Sequence, residues 1–166
     1  MRVVEATILT LEPQTAAHAD EMFGVLSDPA IYEHENQPPP SKEWLRNRFA
    51  RLESRRSADG KELWLNWVIR LPSSELAGYV QATVREDGTA AIAYELASRY
   101  WGRGLARCAV EAMIGELVDH YHVRQLTAVL KRNNHRSMRL LERLGFSAEP
   151  ARHEIEPDET MMRRPA

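Results

Sequence analysis

The chain has 166 residues, with 22 Lys and Arg against 24 Asp and Glu, a net charge of −2 and a pI near 6.3. This balance gives no global attraction to nucleic acid, and the basic residues near 99–107 and 131–143 are local. No apolar run approaches the roughly 20 residues that span a bilayer, and Glu5 stands where a signal peptide wants an apolar core. The single cysteine, Cys108, excludes an intramolecular disulfide framework and fits a reducing, cytoplasmic compartment. One domain over 1–166 is expected, large enough to bury roughly 70% of its unfolded surface.

Residues Thr7 to Leu11 alternate as a first strand. Pro13-Gln14-Thr15 then gives a break and an N-cap before a helix from Ala16 to Leu26. The stretch from Ser27 to Pro40 carries three consecutive prolines, which remove donors and bias the residues before them away from helix. It reads as a long surface loop with one helical turn, and its acids Asp28, Glu33 and Glu35, with Tyr32, make it either a functional loop or a solvated linker. Ser41 caps a helix running to about Arg55. Strands follow over Leu63–Leu71, Leu76–Val84 and Ala90–Leu96, joined by Pro72-Ser73-Ser74 and by an Asp87-Gly88 hairpin turn, so they form an antiparallel meander.

Behind the third of these strands, Leu105, Ala109, Val110, Met113, Ile114, Leu117 and Val118 recur at helical spacing to about His120. A further strand, Gln125–Leu130, makes a right-handed parallel crossover, which places the helix N-terminus at the carboxyl ends of the two strands, where ligands sit. Asn134 caps a helix through Leu144, Gly145 suits its left-handed end, and Phe146 starts a closing strand. A tail with Pro150, Pro157 and Pro165 predicts a hairpin of low regularity.

The strand-to-helix turn Arg99-Tyr100-Trp101-Gly102-Arg103-Gly104-Leu105-Ala106 is the most informative stretch. The first N–H groups of a helix lack intrahelical partners and the dipole adds positive charge, so glycines there let a phosphate approach. Gly102 and Gly104 give that access, and Arg99 and Arg103 add charge-assisted donors. Position 107 is Arg where a dinucleotide fingerprint needs a third glycine, and the Gly-Lys-Ser/Thr of a Walker loop is absent.

What remains, Arg-x-x-Gly-x-Gly between a strand and a long helix, resembles the acetyl-CoA pyrophosphate loop of the GNAT superfamily of N-acetyltransferases. About thirty residues on, Asn134-His135-Arg136-Ser137 and Glu142-Arg143-Leu144-Gly145-Phe146 resemble that family's Asn-x-x-Ser and Glu-Lys-x-Gly-Phe segment. The phrase Tyr94-Glu95-Leu96-Ala97, with the acidic, proline-rich loop, looks most like the branch of ribosomal-protein N-terminal alanine acetyltransferases. The resemblance implies an α/β (α+β) GNAT fold, a mixed, mostly antiparallel sheet with splayed parallel central strands and flanking helices. It also implies acetyl-CoA as cosubstrate, no metal, an amine acceptor, and a monomer or homodimer.

Carried over residue by residue, the resemblance puts the pantetheine arm on the backbone near Leu96 and Ala97 and the pyrophosphate on Gly102 to Ala106. Asn134 bonds the pantetheine amides, and Arg143, where the family usually has Lys, is either a phosphate contact or a solvated residue. The family mechanism is direct attack by a neutral amine, which leaves no covalent role for Cys108. Many members carry a proton-donating Tyr immediately before the Glu of the last helix; here that position is Leu141, with Ser137 as the nearest replacement. Glu95 is the first choice for the base, with Glu154, Glu156 or a water chain as alternatives. A protein or peptide N-terminus is the favoured acceptor, against a small-molecule amine such as a polyamine or antibiotic. A non-catalytic acetyl-CoA-binding module is the reading that Leu141 favours.

Overall fold

A computed structural model describes residues 1–34, 36–150 and 155–166. One eight-stranded sheet runs in the order β1-β2-β3-β4-β5-β6-β8-β7. Its strands are β1 (Val4–Glu5), β2 (Thr10–Pro13), β3 (Glu62–Arg70), β4 (Leu76–Arg85), β5 (Thr89–Leu96), β6 (Gln125–Lys131), β7 (Ser147–Ala148) and β8 (Glu159–Pro165). Every neighbouring pair is antiparallel except β5 and β6, which pair in parallel only from Thr89–Ala91 to Gln125–Thr127. Beyond Ala91 the two strands part.

Five successive residues of β3, Leu65 to Ile69, are buried, so both faces of the sheet are covered. The covering helices are α1 (Ala19–Leu26) with α2 (Lys42–Leu52), which pack on each other, α3 (Leu105–Tyr121), which lies against β1, β2, β4 and β5, and α4 (His135–Arg143). The apolar stripe read in α3 is the buried one: Ala109, Val110, Met113 and Leu117 lose all contact with solvent. Each large apolar side chain buried this way stabilises by roughly 1.5–3 kcal/mol, so the crossover helix is fixed by packing rather than by propensity.

Three expectations shift. The first strand is a hairpin, closed by Ala6 N–H donating to Leu9 O at 2.9 Å, and Pro13 ends β2 opposite Trp67 instead of breaking it. The helix that starts at Ala16 opens with a 3₁₀ turn, Ala16–His18, and α2 stops at Leu52 because Arg55 takes a left-handed φ of 59°. The tail is more regular than its prolines suggest. β8 pairs with β6 along its whole length, with Pro157 ahead of it and Pro165 at its last position, so both lie at its ends.

Candidate active site

Gly102 and Gly104 take left-handed φ angles of 73° and 76°, and Gly104 is the N-cap of α3. A Cβ at either would meet no protein atom within 4 Å, so glycine is required for backbone conformation and the space in front stays open. The first helical bond runs from Cys108 N–H to Gly104 O at 3.1 Å, which leaves the N–H groups of 105–107 without intrahelical partners. They border a cavity of about 370 Å³ that also takes Arg107 from α3 and Arg136, Arg139 and Arg143 from α4. The α4 arginines stand at i, i+3 and i+7, one face of the helix.

Arg143 therefore faces the cradle, and Arg136 and Arg139 join it; their helical spacing is the signal that could have found them. Arg99 and Arg103 do not line this cavity. Their guanidinium groups lie 4.8 and 5.9 Å from the centroid of the Tyr100 ring, within cation–π reach.

Next to the cradle, a narrower cleft is lined by Tyr94, Glu95 and Leu96 of β5, Trp101, Ala106, Asn134, Arg136, Ser137 and Leu140, with Ala30, Ile31 and His34 from the loop. The Trp101 indole N–H donates to Leu96 O at 2.8 Å, and the Arg136 guanidinium lies 3.4 Å from the Trp101 ring centroid. Ala97 turns away from the gap: its N–H donates to Ala77 O at 3.0 Å and its carbonyl accepts from Tyr100. Asn134 caps α4 by accepting from Ser137 N–H at 3.1 Å, and the residue also lines the cleft. The Tyr94 phenol donates to Ser137 O at 3.3 Å. Burial pushes that phenol up to about 12, with hydrogen bonding to Ser137 opposing the shift, so it stays protonated throughout the neutral range.

Glu95 lines this cleft and also a second cavity, of about 470 Å³, on the side of α2. Its position is set by an unusually close backbone: a Cβ at Gly78 would stand 2.0 Å from Glu95 O. Tyr32, Trp44, Arg48, Phe49, Tyr79 and Gln81 form much of the second cavity. Asp28 does not join it. One carboxylate oxygen accepts from Ser98 N–H at 2.6 Å and the other from Ala30 N–H at 3.0 Å, which ties the loop to the cradle. The hydrogen bonds from Ser98 hold this carboxyl below its usual range. Glu33 is solvent-exposed beside His34, and Glu35 and Glu154 lie outside the described residues. Glu156 is exposed in the turn before β8 and borders neither cavity.

An acetyltransferase (GNAT) domain model matches residues 9–147, which spans both the cradle and the gap between β5 and β6. The chain belongs to the GNAT family of acetyltransferases. It is similar to an uncharacterized N-acetyltransferase p20 of Bacillus licheniformis, at 24% identity over 143 residues, covering 85% of this chain and 80% of the relative. The fold matches the ribosomal L7/L12 alpha-N-protein acetyltransferase RimL in complex with coenzyme A, with a TM-score of 0.83 and 17% identity over 98% of this chain and 97% of that one. It also matches the ribosomal-protein-S5-alanine acetyltransferase of Vibrio fischeri, with a TM-score of 0.81 and 17% identity over 98% and 96%.

Within the GNAT fold, Glu95, Leu96, Asn134 and Ser137 come together in one cleft, and Gly102, Gly104, Leu105, Ala106 and Arg143 in the adjoining cradle. Leu141, read as a vacancy at the catalytic position, faces the core and is 1% exposed, whereas Leu140 lines the cleft. Cys108 borders neither cavity, and His135 is exposed. Sequence reasoning missed Tyr94, whose place two residues before the end of β5 puts it on the same side as Leu96. It also missed His34, for which a proline-rich loop gives no signal. Among the described residues no cluster of three or more His, Cys, Asp or Glu is placed to hold a metal, and no helix is long and apolar enough to cross a membrane.

Proposed function

We propose that this chain transfers an acetyl group from acetyl-CoA to a primary amine by direct attack, with a protein or peptide N-terminus as the favoured acceptor. The open left-handed glycines, the free N–H groups of 105–107 and the arginine face of α4 fit a polyphosphate; Leu96 and Asn134 fit an amide-bearing arm. Acetyl-CoA supplies an activated thioester. Glu95 accepts the proton that the amine releases on attack. The Ser137 hydroxyl delivers a proton to the departing sulfur, beside the Tyr94 phenol, which donates to the Ser137 main-chain carbonyl. Backbone N–H groups of the gap orient the acyl carbonyl.

The observation that carries the reading is that Glu95 borders both cavities, so a base stands where a donor on one side meets an acceptor on the other. The experiment is release of free thiol from acetyl-CoA with free-N-terminus peptides, polyamines and aminoglycosides, with acetylated products read by mass spectrometry. Peptides are expected to be modified, and Glu95→Gln to lower kcat by roughly 10²–10⁴-fold with acetyl-CoA affinity retained. Turnover confined to polyamines or aminoglycosides overturns the acceptor assignment. Tight binding with no turnover on any amine overturns the enzyme reading.

A further inference from the structure

The acceptor cavity is charged unevenly. Among the described residues that line it, Glu95 is the only carboxylate and Arg48 the only cation; aromatic rings and neutral amides make up most of the remainder. Glu95 belongs to the end shared with the acyl-donor cleft. Arg48 comes from α2, one turn after Trp44, and its guanidinium lies 5.7 Å from the Trp44 ring centroid. Its neighbour Arg46 is committed to Asp20 at 2.8 Å. Arg48 is exposed, and the positions one turn either side of it are Trp44 and Leu52, so its own helix supplies no carboxylate at that spacing. The planar fork is oriented by the indole and left facing the cavity, an arrangement suited to a carboxylate.

We propose that the acceptor is a peptide N-terminus followed by an acidic residue within its first few positions, with the amine at Glu95 and the side-chain carboxylate on Arg48. This rests on the acetyl-transfer reading above. A volume of about 470 Å³ lies in the range that takes a short peptide segment. The aromatic walls accommodate the apolar parts of the first residues. A polyamine would set a second ammonium against Arg48 and gain nothing there, so the same cation that selects an acidic peptide selects against an all-cationic amine.

The test uses two sets of hexapeptides with free N-termini, identical except for Asp or Lys at positions two and three, with spermidine as a third acceptor. Wild-type enzyme is expected to favour the Asp set by about two- to fivefold in kcat/KM, the range of one rim-exposed charged contact, mostly through KM and weakening as salt rises. Arg48→Glu is expected to invert the order and Arg48→Lys to keep it, both with the thermal shift on acetyl-CoA retained, which shows that they fold. Equal acetylation of both sets by wild type and by Arg48→Glu overturns the acidic preference and leaves the peptide reading standing. Acetylation of spermidine with neither peptide set modified overturns the peptide reading itself.

Discussion

The cavity in front of the glycine turn draws its walls from two short segments, 96–107 and 136–143, whereas the proposed acceptor cavity collects residues from Gln14 to Val129 across α1, α2, four strands and the loop. The first is made largely of backbone: left-handed glycines and unpaired N–H groups at the start of α3, with arginines added from one face of α4. The second is made of side chains held at fixed positions by elements far apart in sequence. Backbone sites tolerate the loss of any one side chain and fail when the φ/ψ angles fail. Side-chain sites behave the other way.

The largest expected effect breaks the backbone site. Gly102→Asp forces a side chain into a φ of 73° and sets a carboxylate before the helix N-terminus, so acetyl-CoA-induced thermal stabilisation should vanish from a folded protein. By contrast Arg143→Ala, one of four arginines around the cradle, should weaken acetyl-CoA binding only a few-fold. A loss as large as that of Gly102→Asp would erase the distinction.

The proposed proton donor is next. Tyr94 bonds only the main-chain carbonyl of Ser137, which Ser137→Ala keeps, so Ser137→Ala should lose a larger part of the roughly 10²–10⁴-fold owed to general acid catalysis than Tyr94→Phe does. A larger loss in Tyr94→Phe would overturn that order. Because the Tyr94 phenol is pushed up to about 12, it should add no alkaline limb to the rate profile below pH 10.

Gly78→Ala tests how the backbone sets Glu95. The added methyl meets the Glu95 carbonyl oxygen, so β4 and β5 must shift, which should cost roughly 1–3 kcal/mol in chemical denaturation and lower kcat as well. Unchanged turnover in the destabilised variant would mean that Glu95 does not need its present position.

The smallest effect concerns the seam between the two regions. Asp28 ties the loop to Ser98, and its carboxyl is held below the usual range, so its contribution is fully present above the unfolded carboxylate value of about 3.9 and is lost as pH falls through the folded one. Thermal melts of wild type and Asp28→Asn should therefore differ at neutral pH and converge in acid. Curves that stay parallel would show that the clamp contributes nothing.

The same contrast explains what the sequence disclosed. A Gly-x-Gly between a strand pattern and a helix pattern specifies its own geometry, so the cradle was legible from 99–106 alone. Arg99 and Arg103 were not, because Tyr100 lies within reach of both and only the folded turn shows that they stack on its ring. Asp28 reads as one acid of a functional or solvated loop until Ser98 is brought to it across 70 positions. Leu141 reads as a missing hydroxyl, yet its helix turns that position into the core and gives the cleft Leu140 instead. Of the proposed acceptor cavity only Glu95 and the Tyr32 loop were marked in the sequence, since its α2 and β4 walls, Trp44, Arg48, Tyr79 and Gln81, form no motif by themselves.

Trp101 is tied to the carbonyl of Leu96 and covered by a cation, and Trp44 stands 41% exposed at the mouth of the other cavity, while Trp67 is sealed in the core. The molecule thus carries its own pair of optical reporters. With Trp64 and Trp67 replaced by Phe, indole emission from a variant keeping only Trp101 should respond to acetyl-CoA, and from one keeping only Trp44 to the acceptor. The order in which the two substrates are taken up then becomes visible in stopped flow without a label.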